Sequence, residues 1–81
     1  MKTLNIGLIG SGFMGKGHSM AYNLLPQIFN PLPAYPCLRV LGDVSEELAK
    51  KAAQNYGFKD YAVGWEEVVN HPEVDIVDIT A

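Results

Sequence analysis

A short glycine-rich stretch near the amino terminus has the composition and spacing of a phosphate-binding loop. Residues Gly10-Ser11-Gly12-Phe13-Met14-Gly15 form a G-x-G-x-x-G pattern directly after an apolar run. In such a loop the first glycine permits a tight turn, the second lets the backbone approach a pyrophosphate, and the third allows close helix–strand packing. The helix that follows would offer free N–H groups to the phosphates. The pattern predicts dinucleotide binding, with a ligand-free packing turn or a ligand such as S-adenosylmethionine as the alternatives.

A carboxylate at the end of the second predicted strand would bind the ribose of the same cofactor. Asp43 ends the predicted strand run 38–42, where a carboxylate can accept hydrogen bonds from both hydroxyls of the adenosine ribose. It lies further from the glycines than the usual about 20 residues, because a proline-rich insertion lengthens the connection. The alternative role is a helix cap paired with Glu46, although Ser45 can fill that position. Asp43 would repel a 2′-phosphate and Val44 offers no cation to bind one, so NAD is favoured over NADP.

Strands and helices alternate in the order that would hold such a loop. The order β-α-β-α-β-α-β predicts an α/β fold, the first portion of a Rossmann-type doubly wound parallel sheet with strand order 3-2-1-4. We expect the first helix on one face of the sheet and the second helix on the other. The last predicted strand closes the chain without a covering helix, which favours a fragment of a longer domain. The predicted strands cover residues 3–9, 38–43, 61–63 and 74–81, and the predicted helices begin at about Met14, at Ser45 and at Trp65, the third ending at Asn70.

Two local expectations concern the prolines and the second helix. Four prolines lie in residues 26–37, a density that predicts an irregular loop, with Pro26 ending or kinking the first helix. Ser45 is the expected N-cap of the second helix and Gly57 the glycine that ends it. Leu48, Ala52 and Tyr56 form a stripe at a spacing of four residues, which we expect to be buried together with the flanking Ala49 and Ala53.

Composition argues against several other classes of protein. The chain has 81 residues, of which 48% are hydrophobic and 19% charged, a globular composition that limits it to one domain at most. A net charge of −3 leaves no basic surface for nucleic acid, and no apolar run is long enough to suggest a membrane span. The single cysteine, Cys37, cannot form an internal disulfide, and no Cys/His cluster has metal-ligand spacing. These features predict a soluble, cytoplasmic protein without a metal site.

Several segments outside the glycine loop also follow the pattern of a known family. His18 stands three residues after the last glycine, and Asp43 is followed by an acidic helix start. With these features the chain resembles the glucose–fructose oxidoreductase and inositol dehydrogenase family (Gfo/Idh/MocA), in which that histidine is typical. The resemblance covers the whole chain and is more specific than the glycines alone. The matching segments are residues 7–18, Asp43 with residues 45–49, residues 55–57, residues 65–69 and residues 71–80.

The resemblance implies an NAD(P)-dependent oxidoreductase that transfers hydride between a sugar or polyol and nicotinamide. Residues 1–81 would then be the N-terminal portion of a dinucleotide-binding Rossmann domain, and the remainder of that domain and a C-terminal substrate domain would lie outside this chain. Family members place a catalytic lysine in a Glu-Lys-Pro segment and a catalytic histidine in the second domain, which often mediates oligomerisation. We therefore expect residues 1–81 alone to be inactive and the full-length protein to be a homo-oligomer. The alternative is a nucleotide-binding regulatory or sensor module without hydride chemistry.

The candidate contacts with the cofactor all belong to the glycine loop and the ends of two strands. Phe13 and Met14 would present backbone N–H groups to the pyrophosphate, and Thr80 and Ala81 would border the nicotinamide ribose. No residue of this chain is assigned a catalytic role. The candidate set is Gly10, Ser11, Gly12, Phe13, Met14, Gly15, Asp43, Val44, Thr80 and Ala81.

Other polar and aromatic residues receive structural interpretations. We expect His18 to pack or form a hydrogen bond rather than touch the cofactor. Trp65 would either border the adenine side of the site or anchor the third helix in the core. Asp75 and Asp78 are an odd number of residues apart in a strand, so they should face opposite sides and not form an acid–base pair.

Overall fold

The computed structural model describes residues 2–81, in which strands and helices alternate along the chain. The elements are β1 (Thr3–Ile9), α1 (Phe13–Ile28), β2 (Tyr35–Asp43), α2 (Glu46–Tyr56), β3 (Asp60–Val63), α3 (Trp65–Val69) and β4 (Ile76–Ile79). The strands form one sheet in the order β3-β2-β1-β4, and every neighbouring pair is parallel. This topology confirms the predicted α/β fold of the Rossmann type with strand order 3-2-1-4.

The two faces of the sheet are covered by different helices, α1 and α2 on one face and α3 on the other. Ile6 and Leu8 of β1 pack in a cluster with α2 and with Tyr22 of α1, whereas Ile9 packs with Val68 of α3. The expectation that α1 and α2 lie on opposite faces is therefore wrong. The chain steps from β1 to β2 and from β2 to β3 in the same direction, so two right-handed crossovers place both helices on one face. The return from β3 to β4 reverses the direction and places α3 on the other face.

A bulge in β2 aligns the ends of the two central strands. The register of β1 against β2 shifts by one residue at Arg39, which has no partner on β1. Beyond the bulge Ile9 pairs with Gly42. The residues that follow these partners, Gly10 and Asp43, therefore emerge side by side at the carboxyl edge of the sheet.

Two prolines lie inside regular elements, so the irregular loop predicted over residues 26–37 is too long. Pro26 lies within the last turn of α1, where the helix loses one N–H donor but has almost ended. Pro36 lies in β2, which has a partner strand on its second side only from Val40, the residue that pairs with Asp60. Pro36 therefore occupies the kind of one-sided position at which a strand tolerates proline.

The ends of α2 agree with the sequence, and its predicted buried face is correct except for Leu48. Ser45 caps the helix by accepting a hydrogen bond from the Leu48 N–H at 3.1 Å, and Gly57 ends it with a φ of 87°. Leu48, however, is 51% exposed. Short side chains form the inner face instead and let the helix lie close to the sheet. The buried residues of α2 are Ala49, Ala52 and Ala53.

The remaining boundaries differ from the sequence-based ones by a few residues. Such differences are usual at element ends, where hydrogen bonding fades gradually. After β4, for example, Thr80 still donates its N–H to the Ile9 carbonyl at 2.9 Å. The corrected bounds are Asp60 rather than 61 for the start of β3, Val69 rather than 70 for the end of α3, and Ile76–Ile79 rather than 74–81 for β4.

Candidate functional site

The glycine loop joins β1 to α1 at the carboxyl edge of the sheet. Gly10 has a φ of 101°, a conformation that residues with side chains rarely adopt. Its N–H donates to the Gly42 carbonyl at 2.9 Å, which ties the start of the loop to β2. The first glycine therefore makes the tight turn that the pattern predicts.

The first turn of α1 presents open N–H groups. Gly12 is the N-cap, and within residues 2–81 no side chain caps this helix end and no acidic residue lies in its first turn. Phe13 is 89% exposed, and Met14 is also largely exposed. A Cβ added to Gly12 would find no atom within 4 Å, so the backbone is accessible here. An anion such as a pyrophosphate can bind to these N–H groups and to the positive end of the helix dipole.

Gly15 lies buried where α1 meets the end of β1. A Cβ added here would collide with the carbonyl oxygen of Gly10 and would lie 3.1 Å from Thr80 Oγ1. The missing side chain therefore allows α1 to approach the sheet closely, which is the packing role that the pattern predicts for the third glycine.

Asp43 ends β2 with its carboxylate directed at the glycine loop. Its Oδ2 accepts hydrogen bonds from the Ser11 N–H at 2.9 Å and from the Ser11 hydroxyl, and its Oδ1 accepts one from the Val44 N–H at 2.6 Å. Burial raises the pKa of Asp43, but the hydrogen bonds from Ser11 and Val44 outweigh burial and hold the pKa below its ordinary value. Asp43 is therefore ionised at neutral pH. Because Ser45 caps α2, Asp43 is free of the capping role that was its alternative.

Ser11 is held from a second side by the helix layer. Tyr56, the last residue of α2, donates its hydroxyl hydrogen to the Ser11 carbonyl at 2.9 Å. Its ring is half-buried against the cluster around Ile6 and Leu8. The loop is thus bonded both to β2 and to α2.

Thr80 and Ala81 follow β4 and lie beside the start of the glycine loop. Thr80 Oγ1 lies 2.9 Å from the Ile9 carbonyl oxygen and 3.0 Å from the Gly10 carbonyl oxygen, either of which can accept its proton. A Cβ on Gly10 would lie 2.9 Å from the backbone nitrogen of Ala81. The end of β4 therefore forms one wall of the loop.

A cavity of about 150 Å³ opens beside Asp43 at this edge of the sheet. Trp65 is 57% exposed and lines the cavity, so the interpretation of this residue as a core anchor is wrong. Gly64, with a φ of 94°, donates its N–H to the Asp43 carbonyl at 2.7 Å and turns the chain into α3. The full lining consists of Ile9, Gly10, Asp43, Val44, Gly64, Trp65 and Ala81.

A separate polar cluster joins α1 to β4. Asp78 Oδ2 accepts a hydrogen bond from the Tyr22 hydroxyl at 2.8 Å and lies 2.7 Å from His18 Nδ1. His18 thus forms the kind of hydrogen bond that we expected of it. Burial, together with the hydrogen bond to Asp78 and its charge, raises the pKa of Tyr22 to about 12. Asp75 instead accepts from the Asn5 N–H at 2.8 Å, so the two carboxylates make separate contacts.

Among residues 2–81, no three His, Cys, Asp or Glu side chains are grouped as metal ligands would be. No helix of these residues combines the length and the apolar character needed to cross a membrane. Cys37 is a half-buried free thiol.

The structure brings all the predicted cofactor-binding residues to one edge of the sheet, in the glycine loop and at the ends of β2 and β4. Sequence reasoning missed Tyr56 and Gly64. The spacing of Tyr56 predicted a buried position on α2, and nothing in the sequence indicated that its hydroxyl reaches the glycine loop. Gly64 had a usable signal, because it directly follows β3, whose end adjoins the end of β2.

Comparison with known proteins identifies the family. The sequence profile described as an oxidoreductase family with an NAD-binding Rossmann fold (GFO_IDH_MocA) matches residues 4–81. The chain belongs to this family, as the resemblance predicted. Levoglucosan dehydrogenase of Pseudarthrobacter phenanthrenivorans is 44% identical over 79 residues, which are 98% of this chain and 20% of that protein.

Solved structures are similar to the chain over about a fifth of their own length. A levoglucosan dehydrogenase in complex with NADH and L-sorbose has a TM-score of 0.96 and 43% identity, covering 100% of this chain and 22% of that one. An NAD-binding oxidoreductase from Klebsiella pneumoniae has a TM-score of 0.93 and 44% identity, covering 98% of this chain and 21% of that one. The chain thus spans about a fifth of the length of these relatives.

The residues of the site fit the cofactor of this family. The open N–H groups of the first turn of α1 suit a pyrophosphate, and the clear space in front of Gly12 admits it. The ionised carboxylate of Asp43 suits a pair of ribose hydroxyls.

Proposed function

We propose that this chain is the cofactor-binding portion of an NAD-dependent dehydrogenase acting on a sugar or polyol. The observation that carries the proposal is the ionised Asp43 carboxylate beside an uncapped helix start. The names of the relatives support the substrate class, because they include levoglucosan dehydrogenases and a complex with L-sorbose. They do not favour the alternative of a sensor module without hydride chemistry.

In this proposal each part of the site binds one part of the dinucleotide. The backbone N–H groups of Phe13 and Met14 hold the pyrophosphate, and Asp43 accepts hydrogen bonds from the adenosine ribose. Val44 and Trp65 border the adenine. Bound NAD supplies the hydride chemistry at its nicotinamide ring.

The remaining contacts concern the nicotinamide half of the cofactor. Thr80 and Ala81 border the nicotinamide ribose, since they lie beside Gly10 at the end of β4. The position between β1 and β4 is the point at which the strand order reverses, where open α/β sheets bind ligands.

The preference for NAD over NADP follows from charge. A 2′-phosphate would replace a ribose hydroxyl that faces the Asp43 carboxylate, and like charges at that distance repel each other. Val44, the next residue, offers no positive charge in compensation.

We also propose that residues 1–81 are the beginning of a longer protein. The rest of the Rossmann domain and a substrate domain would lie outside this chain, and they would hold the catalytic residues and the sugar. The full-length protein would be a homo-oligomer, an expectation that rests on the family resemblance, and it would be cytoplasmic, an expectation that rests on composition.

A dehydrogenase assay tests the proposed function. The full-length protein that carries these residues is mixed with NAD and with levoglucosan, L-sorbose or inositols in turn, and NADH formation is followed. We expect reduction of NAD with at least one of these compounds and none when a peptide of residues 1–81 replaces the full-length protein. Binding of NAD without turnover on any sugar or polyol would contradict the dehydrogenase and favour the sensor module, and turnover by the peptide would contradict the missing catalytic domain.

A further inference from the structure

We infer that Tyr56 is a positioning residue that holds the glycine loop in its binding conformation. The inference rests on the proposed NAD site and extends it to a side chain of α2 that does not line the Asp43 cavity. The Tyr56 hydroxyl donates to the Ser11 carbonyl at 2.9 Å, and Ser11 is the residue between the first two glycines of the loop.

Both peptide groups of Ser11 are bonded to neighbouring elements. The N–H of Ser11 donates to Asp43 at the end of β2, and its carbonyl accepts from Tyr56 at the end of α2. These bonds approach the residue from the strand layer and from the helix layer. Gly12, which follows, has no atom within 4 Å of the place of a Cβ, so the next residue of the loop is open on its outer side.

The Tyr56 side chain is itself well fixed. Its ring packs against the cluster that contains Ile6 and Leu8. The Tyr56 carbonyl accepts a hydrogen bond from Asn23 Nδ2 of α1 at 3.2 Å. Tyr56 is thus held through its ring by the core cluster and through its backbone by α1, contacts of the kind that a positioning group requires.

The two hydrogen bonds of Ser11 lower the conformational entropy of the glycine loop in the absence of cofactor. With both Ser11 peptide groups bonded, the loop is ordered before the dinucleotide arrives, and less conformational freedom is lost on binding. Without the hydroxyl, the Ser11 carbonyl loses its partner and the loop samples other conformations. The hydrogen bond of a half-buried hydroxyl corresponds to about a fivefold change in affinity.

The test compares two variants that lose the same atom. Tyr56→Phe keeps the ring and removes the hydroxyl, and Tyr61→Phe is the matched control, because Tyr61 packs on the same cluster while its hydroxyl bonds Glu46 on the surface. In the full-length protein, NADH affinity, melting temperature and amide hydrogen exchange of residues 11–15 without cofactor are measured.

We expect Tyr56→Phe to raise the Kd for NADH about fivefold and to speed amide exchange in residues 11–15. Tyr61→Phe should leave the Kd for NADH and the amide exchange unchanged. In Tyr56→Phe the KM for NAD should rise with little change in kcat. Equal NADH affinity and equal exchange in Tyr56→Phe and wild type would overturn the inference while leaving the proposed function intact. Failure of the wild-type protein to bind NADH would overturn the proposed function and the inference with it.

Discussion

Gly12 and Gly15 belong to the same glycine pattern, but the space around them differs. Gly15 is enclosed, since a Cβ would collide with the Gly10 carbonyl oxygen, whereas a Cβ on Gly12 would meet nothing within 4 Å. Packing inside the protein therefore excludes a side chain at Gly15, whereas only a bound ligand would exclude one at Gly12. The two glycines therefore allow stability and binding to be tested separately.

We predict opposite results for the two alanine variants. Gly15→Ala should lower the free energy of unfolding by about 1–3 kcal/mol, because the added methyl group overpacks the contact between α1 and β1. Gly12→Ala should change the stability by less than about 1 kcal/mol and weaken NADH binding about tenfold or more, because the methyl group fills the space that the pyrophosphate needs. Denaturant unfolding and NADH titration measure the two effects. A Gly12→Ala variant that binds NADH like the wild type would contradict the placement of the pyrophosphate.

The sequence predicted the location of Asp43 but not its hydrogen bonds. A carboxylate at the end of the second strand follows from the apolar run before it. The bond from the Ser11 hydroxyl depends on the bulge at Arg39, which sets the register between β1 and β2. A single extra residue in a strand does not change the hydrophobic pattern enough to be recognised. The hydrogen bond between Ser11 and Asp43 could therefore not be predicted from the sequence.

At the level of elements, α1 contacts β4 through a cluster of polar side chains. Asp78 accepts from Tyr22 and lies within hydrogen-bond distance of His18. In the folded chain the pKa of Tyr22 is raised to about 12, whereas the pKa of a free tyrosine is about 10. The raised pKa of Tyr22 stabilises the folded state fully at pH values below the pKa of the unfolded chain. This stabilisation is lost as the pH rises through the pKa of the folded chain.

Replacement of Tyr22 should therefore remove an alkaline dependence of stability. At neutral pH Tyr22→Phe should be less stable than the wild type by about 1 kcal/mol, because a hydrogen bond is lost. The difference should shrink as the pH rises from about 10 to about 12, since the wild type loses its advantage there. Unfolding by denaturant at several alkaline pH values measures it. A constant difference across that range would show that the Tyr22–Asp78 contact does not control the ionisation.

The predicted strand order is confirmed, whereas the predicted faces of α1 and α2 are wrong. Alternating strands and helices predict a parallel sheet, and two right-handed crossovers that step in the same direction place α1 and α2 on one face. On α2 only the expected burial of Leu48 is wrong, because the alanines beside it form the inner face. Hydrophobicity alone ranks leucine first, whereas close packing of a helix on a sheet favours the small side chains.

For the whole molecule, the site lies where the strand order reverses between β1 and β4. This edge receives the glycine loop, the end of β2 and the end of β4, so three distant parts of the chain meet there. Family membership and the geometry of this edge lead to the same cofactor. The chain spans about a fifth of the relatives' length.

The most direct test of the NAD site is a titration of NADH and NADPH against three full-length proteins: the wild type, Asp43→Ser and the control Asp60→Ser. Asp60 lies at the start of β3, at the opposite edge of the sheet from the glycine loop, and its replacement removes the same charge. We predict that the wild type and Asp60→Ser bind NADH at least about tenfold more tightly than NADPH, and that Asp43→Ser narrows or inverts this ratio because the repulsion of the 2′-phosphate is gone. An unchanged ratio in Asp43→Ser, or no NADH binding by the wild type, would contradict the proposed site.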